Sequence, residues 1–215
     1  KSKNYHAEKR LAYSDEGYTL LQFRQDEIHF KPEIVKSIVN AKLGNITKKY
    51  YARKLKLSNA SIAETNDFFN NNHLMGASPG VKVMVLHDGT EIISAISYRK
   101  YKDGIDIVRF CNKLNVSVAG ALSKFLSTIV KIESPKFIQS FVDMRYGTGD
   151  SLKTLGFECV SCSIGWKWTD GIRTFNRLQC RANMDERKLT EKEYAKELNW
   201  SKIYDAGQAK FIKFI

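Results

Sequence analysis

The sequence predicts a mixed α/β protein, a sheet with flanking helices preceded by a small helix-strand-helix piece. Three observations carry this expectation. Short β-branched and aromatic runs alternate with helical stripes from residue 63 onward. Asp88-Gly89 lies between two apolar runs and marks a hairpin. Pro32 and Gly44 bracket an amphipathic segment in the order that starts and stops a helix.

The opening reads as a polar helix to about Glu16, where Gly17 breaks it, and Tyr18-Thr-Leu-Leu-Gln-Phe23 reads as a short strand. Glu33 to Leu43 follows as a helix with apolar residues at 34, 35, 38, 39 and 43, stopped by Gly44. A domain boundary is expected near residue 46, giving domains 1–46 and 47–215. Beyond it, Ala63 to Asn72 reads as a helix. Val81 to Leu86 and Glu91 to Tyr98 form the hairpin, Ile105 to Cys111 a third strand, Gly120 to Ile132 a helix, and Phe137 to Val142 a buried strand. A short helix, Gly156-Phe157 and a further strand come next. Asp185 to Lys196 reads as a charged, solvated helix capped by Thr190, with Glu193 completing the capping box.

Hydrophobic residues make up 43% of the 215, enough for a packed core, which excludes global disorder. A stretch of 18 apolar residues is missing, so no membrane partner is expected and the expected compartment is the cytoplasm. The chain opens at Lys1 without a Met, and is expected to be part of something longer. Lys and Arg total 35 against 23 acids, a net charge of +12 that points to a polyanion. Residues 1 to 60 hold 13 basic and 6 acidic residues, and there Lys48-Lys49-Tyr50-Tyr51-Ala52-Arg53-Lys54 interleaves aromatics with cations, a nucleic-acid signature. Solubility is the competing reading of the same charge.

Cys111, Cys159, Cys162 and Cys180 do not make a disulfide framework, and Cys159-Val-Ser-Cys162 lacks the second pair a zinc site needs. Both cysteines read more simply as strand residues. Arg109, Asp143, Arg145, Tyr146 and Ser123 are placed by the pattern at strand and helix ends, where open α/β sheets build sites. Asp143 with an arginine reads equally as a ligand site or a structural ion pair. His73, beside Leu74 and Met75, reads as a structural histidine rather than an acid or base. Gly165-Trp-Lys-Trp-Thr-Asp-Gly171 with Arg173 and Arg177 reads as a stacking surface or as a strand whose tryptophans face the core.

The element order, with a glycine-containing turn before the helix at Gly120 and with Leu155-Gly156-Phe157, resembles the GNAT acyltransferase fold. That resemblance implies a GNAT-like mixed sheet and a pyrophosphate received at the helix start by Gly120, with Lys124 one turn later. The turn Val118-Ala-Gly-Ala-Leu-Ser-Lys124 departs from the Arg-x-x-Gly-x-Gly/Ala pattern for coenzyme A, with Ser117 and a single glycine. At residue level the chain also resembles the phage Hef-type homing endonucleases. The motifs are Asn72-His73-Leu-Met-Gly76, Arg109-Phe-Cys-Asn-Lys113, Val118-Ala-Gly-Ala-Leu-Ser-Lys-Phe125, Ser140-Phe-Val-Asp-Met-Arg145, Leu155-Gly-Phe157 and Trp200-Ser-Lys-Ile-Tyr-Asp-Ala-Gly207. Tyr5-His6, Lys9, Tyr18 to Phe23, Asp26-Glu27 and Glu33 to Ser37 are similar to the end of a very-short-patch-repair-like nuclease domain.

That second resemblance implies the DNA-binding portion of a bacteriophage homing endonuclease, a hydrolase acting in the host cytoplasm on duplex DNA. Cleavage would depend on upstream carboxylates and a divalent metal such as Mg, whose ligands within this chain are unknown. It implies phosphate contacts by Lys48, Lys49, Arg53, Lys54, Lys56, Arg109, Lys113, Lys124, Arg145, Arg173 and Arg177. Candidate catalytic groups are His6, Glu27, Asp143 and Tyr146; His6 and Asp26-Glu27 read alternatively as a solvated helix residue and turn chemistry. The alternative function is a GNAT-like acyltransferase that modifies a nucleobase or another amine with a coenzyme A derivative, using Asp143 or Tyr146 for proton transfer.

Overall fold

The computed structural model describes residues 2–182 and 189–215. The chain divides into two compact units. The larger gathers Lys31–Val142, Gly149–Ser161 and Lys210–Ile215; the smaller gathers Lys1–Phe30, Asp143–Thr148 and Cys162–Ala209. The chain opens in the smaller unit with α1 (Tyr5–Asp15) and α2 (Gln25–Phe30).

In the larger unit, α3 (Pro32–Lys42) starts on its proline and ends before Gly44, as the sequence predicts. The basic stretch becomes β1 (Lys48–Tyr51), a 3-10 turn (Ala52–Lys54) and β2 (Lys56–Ala60). α4 (Ile62–Asn72) opens with a capping box in which the Ser61 hydroxyl accepts from the Glu64 N–H and the Glu64 carboxylate accepts from the Ser61 N–H. β3 (Lys82–His87), β4 (Ile92–Tyr101) and β5 (Gly104–Asn112) form the expected antiparallel meander, with Asp88 closing the first turn by accepting from the N–H groups of Thr90 and Glu91. Then come β6 (Val116–Ala119), α5 (Ala121–Glu133), β7 (Phe137–Asp143) and α6 (Asp150–Thr154).

β3 is buried on both faces because a helix covers each. Phe69 of α4 packs on Val83, Val85 and Ala95. Phe125 and Ile129 of α5 are fully buried, as are Met84, Leu86 and Ile96, and the Phe125 ring meets Phe110 edge-on at 6.3 Å. Each such large side chain contributes about 2–3 kcal/mol of burial.

The smaller unit holds β9 (Thr174–Phe175), α7 (Arg177–Ala182) and α8 (Glu191–Glu197), with most of β8 (Glu158–Thr169) and β10 (Ser201–Phe214). Its core is Trp168, Cys180, Tyr194 and Ala195, with Phe175 stacked on Trp200 at 4.2 Å. Thr190 and Glu193 form the expected capping box, but Tyr194 and Ala195 are buried, so α8 is amphipathic rather than solvated all round. Residues 185–188 of that expected helix lie outside the described residues. The strand order of the main sheet is β2-β3-β4-β5-β7-β10-β8-β9, and β1 pairs separately and in parallel with β6.

Tyr18–Phe23 was expected as a strand and joins no ladder; Gln22 N–H bonds once, to the Arg145 carbonyl. The fold is α/β, a GNAT-like mixed sheet with flanking helices.

Candidate functional site

The candidate site of the larger unit begins with a strand that leaves its neighbour. β5 pairs in parallel with β7 only at Ile105↔Ile138, Asp106↔Gln139 and Ile107↔Ser140. β5 nevertheless runs on to Asn112, still paired with β4. The cause lies in the β4–β5 register: Ser97 opposes Arg109 while Tyr98 opposes Ile107, so Val108 is an extra residue. A bulge of this kind bends its strand and increases the twist. Val108–Asn112 therefore has β4 on one side and no pairing with β7 on the other. Asn112, at the end of this stretch, keeps a buried Oδ1 without a hydrogen-bond partner.

The chain then turns through β6 into α5. Gly120 is the N-cap, with φ of +79°, a left-handed conformation a side chain would strain. Ala119 and Gly120 are exposed and no side chain caps the helix, so its first-turn N–H groups have no intrahelical partner and point outward with the positive end of the dipole. β1 lies beside this turn, its register running from Lys48↔Val116 to Tyr51↔Ala119. The 3-10 turn that follows carries Arg53 and Lys54 to the same place, and Lys124 fixes it by donating to the carbonyls of Ala52 (2.9 Å) and Leu55 (2.8 Å). Lys48 lies 4.6 Å over the Tyr50 ring and Arg53 5.4 Å over the Tyr51 ring. Among the described residues Lys49, Arg53, Lys54 and Lys56 form no ion pair. The arrangement is a helix N-terminus with cations around it, suited to phosphate.

The smaller unit holds most of the predicted catalytic groups, and there they are consumed by ion pairing. The Arg145 side chain is 3% exposed; it donates to Asp143 at 2.7–3.1 Å and to Glu27 at 2.6 Å. Arg24 pairs with Glu27 and with Asp205. Gly165 leaves room for this, since a Cβ there would fall on the Asp205 carboxylate. Burial opposes ionisation of Glu27, but the hydrogen bonds and charge of Arg145, with Arg24, outweigh it and hold the carboxyl below its ordinary range. Tyr146, stacked on Phe23 at 6.0 Å, is pushed well above the ordinary phenol range by burial and by Asp143. His6 is tied to Gln22 twice: its ring Nδ1 lies 3.0 Å from the Gln22 Oε1, and its carbonyl accepts from the Gln22 side-chain amide at 2.9 Å. Asp26 accepts from the N–H and hydroxyl of Thr174. Asp205 and Gly165 lie within motifs quoted above and Arg24 in none, but no sequence signal brought the three together, since Arg24 and Asp205 are 181 residues apart.

His73, in the larger unit, has its pKa lowered to about 3 by burial, with the Arg109 and Lys31 charges adding to the effect. It is an uncharged ring whose Nδ1 accepts from the Met75 N–H at 3.1 Å. Burial lifts the Cys111 thiol to about 12.

No family model matches this chain, and no curated protein matches it. Solved structures do. An IAA acetyltransferase from Bacillus cereus is 9% identical, with 75% of this chain and 99% of that one covered at a TM-score of 0.45. An acetyltransferase from Bacillus subtilis in complex with CoA gives 13%, 75%, 99% and 0.45. A ribosomal-protein-alanine N-acetyltransferase from Brucella melitensis gives 13%, 75%, 100% and 0.42.

The homing-endonuclease expectation is corrected. These neighbours are acetyltransferases, with no nuclease among them. Of the residues implied to contact DNA, Arg145 is buried, Lys124 donates to the Ala52 and Leu55 carbonyls, Arg109 donates to the Gly76 and Val108 carbonyls, and Lys113 and Arg177 pair at the surface with Glu91 and Glu191. Arg173 stacks on Phe30 at 5.2 Å. Lys48 and Lys49 lie on β1, Arg53 and Lys54 on the 3-10 turn that packs beside the α5 N-terminus, and Lys56 on β2 opposite His87. For magnesium, the described residues offer no cluster of three His, Cys, Asp or Glu groups placed to hold a metal. No described helix is long and apolar enough to cross a membrane.

Proposed function

We propose that the larger unit is an acyltransferase that takes its acyl group from a coenzyme A thioester and passes it to an amine. The observation that carries this reading is the departure of β5 from β7 after three paired residues, leading to the uncapped N-terminus of α5. The residues present fit such a ligand. Val108–Asn112 presents an open strand edge of the kind that holds amide groups in extended form, and the orphaned Asn112 Oδ1 is a further acceptor. The α5 N-terminus at Gly120, with Arg53 and Lys54 beside it, would hold phosphates. The turn from Ser117 to Gly120 lacks an arginine of its own, and the 3-10 turn after β1 supplies the cation from outside. When bound, the thioester supplies an activated carbonyl.

The chain's own part is to bind and orient. Lys124 fixes the 3-10 turn against α5, and the bulge at Val108 keeps the strand edge open. His73 is not the proton acceptor for an incoming amine, since its Nδ1 is taken and its pKa is about 3. The rate should therefore rise with pH as the acceptor amine loses its own proton. The test is release of free thiol from acetyl-CoA across a panel of amines, with Arg53→Glu/Lys54→Glu alongside. Amine-dependent release with a KM for acetyl-CoA at least tenfold higher in the variant is expected. No release with any amine, together with no coenzyme A binding, would remove the proposal.

A further inference from the structure

Lys167, on the part of β8 that belongs to the smaller unit, has no place in the acyltransfer reading. Side chains alternate along a strand. Trp166 and Trp168 point to the unit's own core of Cys180, Tyr194 and Ala195, so Gly165, Lys167 and Thr169 take the opposite face. At one end of that face a Cβ on Gly165 would fall on the Asp205 carboxylate. At the other, Thr169 pairs with Thr174, which donates its N–H and hydroxyl to Asp26. Lys167 stands between the two.

The carboxylates around it are already engaged. Arg145 holds Asp143 and Glu27, Arg24 holds Glu27 and Asp205, and both oxygens of Asp26 accept, one from Thr174 and one from the Glu27 N–H. Among the described residues the Lys167 ammonium makes no hydrogen bond and no ion pair, and the side chain is only partly exposed. Burial lowers its pKa, the Arg24 and Arg145 charges add to that, and Glu27 and Asp26 oppose it. A desolvated lysine beside other cations is the environment that turns an ammonium into a nucleophilic amine.

We infer that Lys167 is an acylation site of this protein, an amine that takes an acetyl group from a thioester met in solution. The unprotonated Nζ attacks the thioester carbonyl carbon, the C–N bond forms as the C–S bond breaks, and the departing thiolate takes the proton the nitrogen gives up. The products are an amide and a thiol. The amide is neutral, so it no longer faces Arg24 and Arg145 as a like charge and no longer carries the desolvation cost of an ammonium. The step needs no help from the larger unit and stands whether or not that unit binds coenzyme A.

The test exposes the whole folded chain briefly to S-acetyl-N-acetylcysteamine, a thioester without phosphates, and counts acetyl groups lysine by lysine by mass spectrometry of the digest. At pH 7 Lys167 should be acetylated at least about fivefold faster than the exposed Lys42 and Lys131, and the ratio should shrink toward about pH 10 as ordinary lysines lose their protons too. Lys167→Met keeps the stem and removes the charge. It should melt no lower than the wild type at pH 7, because a lysine whose pKa is lowered on folding costs stability below its unfolded value. A rate at Lys167 equal to or below that of the exposed lysines, or a ratio that does not change with pH, would overturn the inference. So would a methionine variant that melts lower, which would mean that the ammonium has a partner.

Discussion

Replacing Arg145 with methionine isolates what the ion network of the smaller unit contributes. The substitution keeps most of the side-chain volume and removes the guanidinium between Asp143 and Glu27, whose side chains are 14% and 11% exposed. Arg24 remains for Glu27, but Asp143 loses its arginine partner. Removing one partner of a buried pair typically costs about 3–5 kcal/mol, because the other charge stays desolvated. In a chain of this length that corresponds to a fall in Tm of roughly 6–20 °C. The loss should shrink in acid. Glu27 has a lowered pKa in the folded protein, so its stabilising share is present above the ordinary carboxylate range and fades as pH falls through the folded value. Urea unfolding at pH 7 and pH 4 measures both. A loss below about 1 kcal/mol at pH 7, or an equal loss at both values, would refute the reasoning.

Three further outcomes follow from individual contacts. Lys124→Met leaves the Ala52 and Leu55 carbonyls without their donor and should cost about 1–3 kcal/mol in chemical unfolding, while raising the KM for acetyl-CoA through the loosened 3-10 turn. The depressed His73 pKa means the unfolded chain binds a proton near pH 6.5 that the folded chain refuses. Stability should therefore fall by up to about 1.4 kcal/mol per pH unit below 6, and His73→Gln should flatten that slope in pH-dependent unfolding. Gly104→Ala puts a Cβ 2.6 Å from the Phe137 carbonyl oxygen and should cost at least about 2 kcal/mol by thermal unfolding.

The legible parts of the fold were those written in local chemistry. Asp88-Gly89 marked its hairpin, Pro32 and Gly44 bounded their helix, and the Phe137–Val142 run gave a buried strand. β1 was hidden because Lys48-Lys49-Tyr50-Tyr51 reads as a charged surface, and only the pairing with Val116–Ala119 makes it a strand. Gly120 was visible as a helix start that could receive phosphate. The opening beside it was not, because the bulge at Val108 is a property of register between β4 and β5 and leaves no composition signal. Motif likeness misled where the fold uses the same residues structurally: Asp143-Met-Arg145 is a buried ion pair, and Lys113 is tied to Glu91. Net charge pointed to a polyanion without naming which, and it could not show which cations are free to meet one, since several are held by carboxylates or carbonyls.

The central claim is tested most directly by calorimetric titration of coenzyme A into the whole chain, beside Arg53→Glu/Lys54→Glu. The account predicts saturable one-to-one binding in the wild type and at least tenfold weaker binding in the variant, a difference of about 1.4 kcal/mol or more. Equal affinity in the two proteins, or no heat of binding in the wild type at millimolar ligand, would contradict it.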